Sequence, residues 1–377
     1  MKILHVLGTA RPVGGAEAYA LVTAAAQERA GHEVAFLHTD AQPSLNGTAQ
    51  HRATDVASAL AWTKALEPDV VHVHGSPLEA ELERGLQKRY AVVRSLHDYS
   101  FACASTHHYF RDGAPCTRAH GPGCIAGLAL RGCAHRADVR PVVSAYRRVG
   151  ERLPLVRDAD AVVVYSDYVR QTALRNGVPA DRCRTIPYFV QRAAQPPAPF
   201  ASRTVAFAGR ISSAKGLDVL LRALGRTPGW DSLLVIGDGW QRAECERLAR
   251  ELHIDDRIEW LGWLGAGGVR TALARARVVA VPSRWPEPFG IVGIEAMAQA
   301  RAVVASRAGG IPEWLDDRET GLLVEPGDVD ALALALERVL VDEPLAIELG
   351  LRGWQRAERF APDRHLAALD AVYAEVA

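Results

Sequence analysis

A chain of 377 residues, 49% hydrophobic and 23% charged, has room for two ordinary domains, and its composition excludes disordered, collagen-like and disulfide-scaffold proteins. Lys plus Arg and Asp plus Glu both number 44, so the formal net charge is zero, and a dedicated nucleic-acid binder, which needs a basic field, is not expected. The sequence shows no apolar run near the ~20 residues of a bilayer span and no signal-peptide pattern after Met1, so a cytoplasmic setting is expected.

Short apolar runs alternate with Ala/Leu/Arg-rich segments, the pattern of βα units in parallel sheets. Strands are predicted at Lys2–Leu7, Glu33–His38, Asp69–His74 and Ala91–His97, with helices at Ala16–Ala30, Val56–Leu66 and Leu78–Arg89. The alternation stops over 98–140, rich in Gly, Cys, His and Arg, which reads as an insert. It resumes with a helix at Pro141–Leu153 and a strand at Ala161–Tyr165, while Gln195-Pro196-Pro197-Ala198-Pro199 marks a stiff linker over 191–203. Beyond it, strands are predicted at Thr204–Ala208, Ser232–Ile236, Arg257–Leu261, Val278–Val281 and Ala302–Ala305. The intervening helices are Leu217–Leu224, Gln241–Leu252, Val269–Ala276 and Gly293–Ala300, and Asp328–Leu340, Leu345–Glu358 and Asp363–Glu375 close the chain. The expected organisation is a domain over 1–190, the linker, a domain over 204–360, and a helix over 361–377 packing back on the first domain. Ligands in such sheets sit at the carboxyl ends of strands.

Three strand-to-helix loops carry candidate chemistry. In Pro282-Ser283-Arg284-Trp285-Pro286-Glu287-Pro288-Phe289-Gly290-Ile291, Gly290 permits close backbone approach just before a helix whose unpaired N–H groups suit a phosphate. Glu287 and Glu295, eight apart, can accept hydrogen bonds from sugar hydroxyls. In Gly209-Arg210-Ile211-Ser212-Ser213-Ala214-Lys215-Gly216 the two cations can converge on a diphosphate, although the segment is not a Walker loop. Gly14-Gly15-Ala16-Glu17 opens the first helix and does not fit a dinucleotide fingerprint, so a plain turn and a backbone anion site are both open.

Together with Pro68-Asp69-Val70-Val71-His72-Val73-His74, Gly309-Gly310-Ile311-Pro312-Glu313 and Thr320-Gly321-Leu322-Leu323, these segments resemble the retaining glycosyltransferases of family four. The resemblance implies the GT-B architecture, an α/β fold of two Rossmann-like parallel-sheet domains facing across a cleft. It implies that Glu295 holds the nucleotide ribose, Arg210 and Lys215 the diphosphate, and Glu287 the hydroxyls of the transferred sugar. It further implies that Phe289, Gly290 and Ile291 present backbone amides, that Gly14 and Gly15 approach the donor, and that His97 lies near the donor sugar. Such enzymes keep anomeric configuration and need no catalytic metal. The expected reaction moves a hexose from a UDP- or GDP-sugar to a hydroxyl of a glycan, glycolipid or small metabolite. A sugar-nucleotide epimerase or phosphorylase of the same fold, or a non-catalytic sugar-nucleotide binder, is the alternative. Replacing Arg210 or Lys215 with Ala is expected to cost turnover more than folding.

Two Asp-x-Asp spellings are read as local structure: Asp158-Ala159-Asp160 as a turn into a strand and Asp328-Val329-Asp330 as a helix start. Cys103, Cys116, Cys124 and Cys133, spaced 13, 8 and 9 apart in the insert beside His107, His108, His120 and His135, could hold a structural zinc or stand as free thiols. Residues 1–187 carry 22 basic and 18 acidic groups, +4, against 22 and 26, −4, in the remainder. Arg131, Arg136, Arg140, Arg147, Arg148, Arg152 and Arg157 form a basic stretch that could meet an anionic membrane surface or serve as a solvated helix face. Thr185-Ile186-Pro187-Tyr188-Phe189-Val190 departs from the family, whose members usually carry an Asn-Gly turn there.

Overall fold

The computed structural model describes residues 1–11, 14–41, 43, 47–75, 80–133, 140–198 and 202–377. It comprises two compact units, one of residues 1–111, 116–188 and 363–377 and the other of 112–115 and 189–362.

The first unit holds a seven-stranded parallel sheet of β1 (Lys2–Val6), β2 (Glu33–His38), β3 (Ala49–Arg52), β4 (Val70–Val73), β5 (Ala91–Leu96), β6 (Ala161–Val164) and β7 (Cys183–Thr185). The strand order β3-β2-β1-β4-β5-β6-β7 reverses direction between β1 and β4, the point at which α/β sheets open to a ligand. Central strands such as β4 and β6 are buried throughout, and Leu4, Val6, Val71, Val73 and Val92 pack with Leu82 and Leu86 of helix Ala80–Gln87. The final helix, Pro362–Val376, belongs to this unit, tied in by Tyr373 and His365.

The second unit repeats the plan with β8 (Thr204–Ala208), β9 (Ser232–Ile236), β10 (Ile258–Gly262), β11 (Val278–Val281), β12 (Ala302–Ser306) and β13 (Leu322–Val324). Their order is β10-β9-β8-β11-β12-β13, so its reversal falls between β8 and β11. A core including Val205, Phe207, Leu220, Val235, Val278, Val304 and Leu336 lies between this sheet and helices such as Leu217–Leu224 and Val329–Val341.

Several elements were not legible in the sequence. The edge strand β3 is Ala-Gln-His-Arg, polar because one side faces solvent, and β7 and β13 have three residues each, too short for a period to show. Helix Asp167–Arg175 begins at Ser166, whose hydroxyl accepts from the Val169 N–H at 3.2 Å, a capping signal the apolar pattern did not highlight. The helix predicted from Pro141 to Leu153 runs from Arg140 to Asp158 and includes Pro154. The helix predicted from Leu78 is described only from Ala80, since 76–79, like His135 and Arg136, lie outside the described residues. The linker is anchored to the second unit, because the Arg301 guanidinium donates to the carbonyls of Pro197 and Ala198 at 3.3 and 2.6 Å. Asp160 turns into β6 with its carboxylate accepting from the Val92 N–H, and Asp328 caps helix Val329–Val341.

Candidate active site

The second unit brings the predicted donor residues onto the loops that follow β8 and β11, at the reversal of strand order. Lys215 lies just before helix Leu217–Leu224. Its stem runs back over Gly209, 4.0 Å from where a Cβ would stand, and its ammonium donates to both carboxylate oxygens of Glu287 at 2.6 and 2.9 Å. Glu287 is 3% exposed and also accepts from Ser283 Oγ at 2.5 Å, so its charge is matched by one cation and one hydroxyl. Arg210 is exposed and, among the described residues, has no hydrogen-bond or ion-pair partner. The site thus holds one neutralised ion pair and one free guanidinium fork, suited to a planar pair of phosphate oxygens.

The turn 287–290 is held from behind. The Gly310 N–H donates to the Glu287 carbonyl at 2.8 Å, and Gly309, at φ +58°, lies so close that a Cβ would stand 2.2 Å from that oxygen. Trp314 donates its indole N–H to the Phe289 carbonyl at 2.6 Å, and its ring fills the space over Gly293, where a Cβ would come within 1.9 Å of it. This gives a role to Gly309-Gly310, which the motif named without one, and adds Trp314, which sequence reasoning missed. Gly290, at φ +91°, then opens helix Ile291–Ala298, whose first N–H groups have no intrahelical partner. Glu295, one turn further on, is partly covered and bonds to no other described residue, and burial pushes its carboxyl up to about 7.

In the first unit, Gly14 caps helix Gly15–Arg29 in an extended conformation at the end of the loop after β1. His97 follows β5, and both its ring nitrogens are engaged: Nδ1 with Tyr188 Oη at 2.7 Å and Nε2 with His74 Nδ1 at 3.0 Å. The contacts continue from His74 Nε2 to His5 Nδ1 (2.9 Å), from His5 Nε2 to Gln27 Oε1 (2.8 Å), from Gln27 Nε2 to Tyr373 Oη (3.2 Å), and from Tyr373 Oη to His72 Nδ1 (2.6 Å). His72 Nε2 ends on Ser95 Oγ at 2.8 Å.

Because the Gln27 carbonyl can only accept, the proton order of the row follows: His5 donates from Nε2, His74 donates to His5, His97 donates to His74, and the Tyr188 hydroxyl donates to His97. Burial lowers every imidazole, His5 to about 4 and His97 to about 3, with Arg94 adding to the fall at His97. His72 and His74 also fall well below the usual value, chiefly through burial. The ligating atoms of His5, His72 and His74 lie within 4.8 Å of one another, a spacing a metal could use. Each of those nitrogens already has a protein partner, and the groups acting on His72 and His74 from outside the row are His365, at His72, and the Arg94 cation, so hydrogen bonding is the better account.

This row was missed at the sequence level, where only His97 and the spelling of β4 were noted. The available signal was three histidines in apolar strands, His5 paired with His72 in register and His74 two residues on. In the basic stretch, Arg157 bonds to the Asn176 carbonyl and Arg131 lies over the Phe110 ring, whereas Arg147 and Arg148 are exposed. No described helix is long and apolar enough to cross a membrane.

Residues 13–193 match the model described as Glycosyltransferase Family 4, and residues 193–355 match the model described as glycosyl transferases group 1. The chain belongs to this glycosyltransferase family, and its two parallel-sheet units have the GT-B fold. It is 35% identical over 254 residues to the D-inositol 3-phosphate glycosyltransferase of Saccharomonospora viridis, covering 61% of this chain and 58% of that one. The corresponding protein of Corynebacterium diphtheriae is 35% identical over 188 residues, 48% and 44% of the two chains. The chain thus spans about half the length of the curated relatives it matches, 44% and 58% in these two. Among solved structures it is similar to sucrose-phosphate synthase from Thermosynechococcus elongatus, at 22% identity over 99% of this chain and 98% of that one, with TM-score 0.76. It is also similar to Anabaena HepE in complex with UDP and glucose, at 19% identity over 100% of both chains, again with TM-score 0.76.

Proposed function

We propose that the protein is a retaining, metal-independent glycosyltransferase that moves a hexose from a UDP- or GDP-sugar to a hydroxyl acceptor. The observation that carries this reading is the set of four groups on the β8 and β11 loops: free Arg210, the Lys215–Glu287 pair, the start of helix Ile291–Ala298, and unpartnered Glu295. Arg210, Lys215 and the helix N–H groups take the diphosphate, Glu295 the ribose hydroxyls and Glu287 the sugar hydroxyls. As the bond to the anomeric carbon breaks, negative charge grows on the leaving diphosphate. Fixed cations and amides stabilise that charge without reorganising, ordinarily the largest catalytic contribution. An oxygen of the departing phosphate takes the acceptor proton, so the new bond forms on the face the old one left and no separate base is required.

His97, which burial keeps neutral at neutral pH, acts in this reading as a hydrogen-bonding group near the sugar and not as a proton donor. That HepE is solved with UDP and glucose supports a uridine donor, and relatives named for D-inositol 3-phosphate and for lipopolysaccharide core synthesis support a hydroxyl acceptor. Acceptor recognition is assigned to the first unit. Its exposed Arg147 and Arg148 would serve peripheral contact with an anionic membrane on the cytoplasmic side, which flotation with anionic vesicles at rising salt tests.

The deciding experiment presents UDP-, GDP-, ADP- and dTDP-sugars with a panel of hydroxyl acceptors in excess chelator, and follows nucleoside diphosphate release and product configuration by NMR. Acceptor-dependent release with the donor's anomeric configuration preserved is the expected result. Release without acceptor, inversion, or full dependence on added metal would overturn it.

A further inference from the structure

The sulfurs of Cys103, Cys116, Cys124 and Cys133 in the insert are not gathered at metal-ligand spacing, since among the described residues only His5, His72 and His74 bring three ligand atoms within 4.8 Å of one another, and none of the four is in a disulfide. The helix of the insert, Gly123–Arg131, is unusual for another reason. Between Gly123 and Leu130 its sequence holds only Gly, Ala, Ile, Leu and one Cys, and a helix apolar on every side ordinarily lies in a core. One side is covered: a Cβ on Gly127 would stand 3.7 Å from the Phe110 ring and 3.6 Å from Arg118 Nη1. Ile125, two residues earlier and so on the far side at about 100° per residue, is 58% exposed, and Leu130, at the C-terminal end, is 83% exposed. Cations lie beside this apolar surface. Exposed Arg118 donates to the Gly123 carbonyl at 3.1 Å, and Arg131 ends the helix. Three residues before the helix, His120 packs on Tyr146 with ring centroids 4.5 Å apart, and Tyr146 shares its own helix with exposed Val143 and Arg147. Residues 116–150 hold six arginines, no lysine and one acid, Asp138, a net +5 in a chain of zero net charge.

We propose that helix Gly123–Arg131 docks on an anionic lipid bilayer, with Ile125 and Leu130 entering the boundary between headgroups and acyl chains while Arg118, Arg131 and Arg147 meet the lipid phosphates. The inference rests on the peripheral contact proposed above and names the element that enters the bilayer. At nine residues the helix is about 14 Å long, under half the ~30 Å hydrocarbon core, so it lies along the surface and does not cross it. The interface takes both kinds of side chain at once: the apolar ones leave water, and the guanidinium heads, carried on long stems, stay at the level of the phosphates. A second copy of this chain is the poorer occupant, because docking would press together two faces of the same positive sign.

The test floats the full chain with vesicles of phosphatidylcholine, alone or with one-third phosphatidylglycerol, in the absence of donor and acceptor. The expected result is flotation with the anionic vesicles only, lost as salt rises, and weakened at least tenfold in Ile125→Ser/Leu130→Ser, whose exposed positions leave the urea midpoint unchanged. Leu130→Trp should add an emission that brominated acyl chains quench beyond any quenching of the parent. Failure of the parent to float would overturn both this inference and the peripheral contact. Undiminished flotation of the double Ser variant, or no added quenching in Leu130→Trp, would overturn the docking of the helix and leave a contact made by arginines alone. A dimer in lipid-free solution that the Ser variant abolishes would assign the face to a second copy and overturn the inference as well. Because flotation is read without substrates, a chain that transfers no sugar would fail the functional reading and leave this result intact.

Discussion

Acidification from pH 7.5 to 5.5 should loosen the first unit and spare the second. His5, fully buried, and His365, 4% exposed, are both held near pKa 4, mainly by burial, against 6.5 in a free chain. An imidazole whose folded value is depressed gives stability at high pH that is lost as pH falls below the unfolded value, because only the unfolded chain then takes up protons. Across this interval each such group costs about 1.3 kcal/mol, so His5 and His365 together cost about 2.7 kcal/mol. His72 and His74 shift the same way and add to the loss. Glu295 in the second unit has the opposite sign: its folded value is raised, so acidification relieves it. Hydrogen exchange on the full chain, corrected for intrinsic rates, reads both units at once. Peptides covering β1 and β4 should lose ~3 kcal/mol or more of opening free energy, while those of β8 and β11 lose none and gain up to about 2 kcal/mol through Glu295. Equal behaviour of the two sets, or a loss below ~1 kcal/mol in β1 and β4, would refute the assignment of neutral buried imidazoles.

Three substitutions probe the remaining geometry. Lys215→Ala strands a carboxylate that is 3% exposed, so it should lower stability by about 3 kcal/mol as well as slowing turnover, and adding Glu287→Gln should recover most of the stability but none of the rate. The sequence alone led to the expectation that turnover would suffer more than folding at both cations; the ion pair confines that expectation to Arg210, where Ala should leave the urea midpoint unchanged and cut kcat. Glu295→Gln should weaken donor binding above pH 7 and flatten its pH dependence by calorimetry, since the native carboxyl becomes a full acceptor only as pH rises through about 7. Gln27→Leu removes the acceptor of His5 and a donor to Tyr373, all three fully buried. It should cost about 2 kcal/mol by urea unfolding and change the nitrogen-15 tautomer signature of His97, 74 and 5, a shift that mere loss of packing would not produce.

The parallel-sheet plan was legible because buried parallel strands are uniformly apolar: Val70–Val73, Val278–Val281 and Ala302–Ser306 announce themselves, and the strand-to-helix loops could then be placed. The loops expected to hold the donor could be placed for a related reason. Gly290 and Gly309 sit at positive φ, and residue types at such positions are restricted by the backbone itself, so their spelling carries structural information. What the sequence hid was partnership. Nothing in Lys215 or Glu287, 72 residues apart, states that one neutralises the other, and nothing in Arg210 states that it is left free. Those are products of the β8–β11 pairing, which only the folded sheet supplies.

The histidine row shows the same limit and ties it to function. His97 was singled out as one residue at a strand end, but its proton arrangement is decided by Gln27, 70 positions earlier, through His74 and His5. The row also passes through Tyr373 on the returning helix, so the last helix joins the polar interior of the first unit as well as covering its sheet. A polar row of this kind is tolerated inside an apolar sheet only when every member is satisfied, because each orphaned group would cost about 1–3 kcal/mol. That requirement couples residues far apart in the chain. It also fixes Tyr188: its hydroxyl supplies the hydrogen bond His97 Nδ1 needs, and its ring stacks on Tyr165 at 3.8 Å.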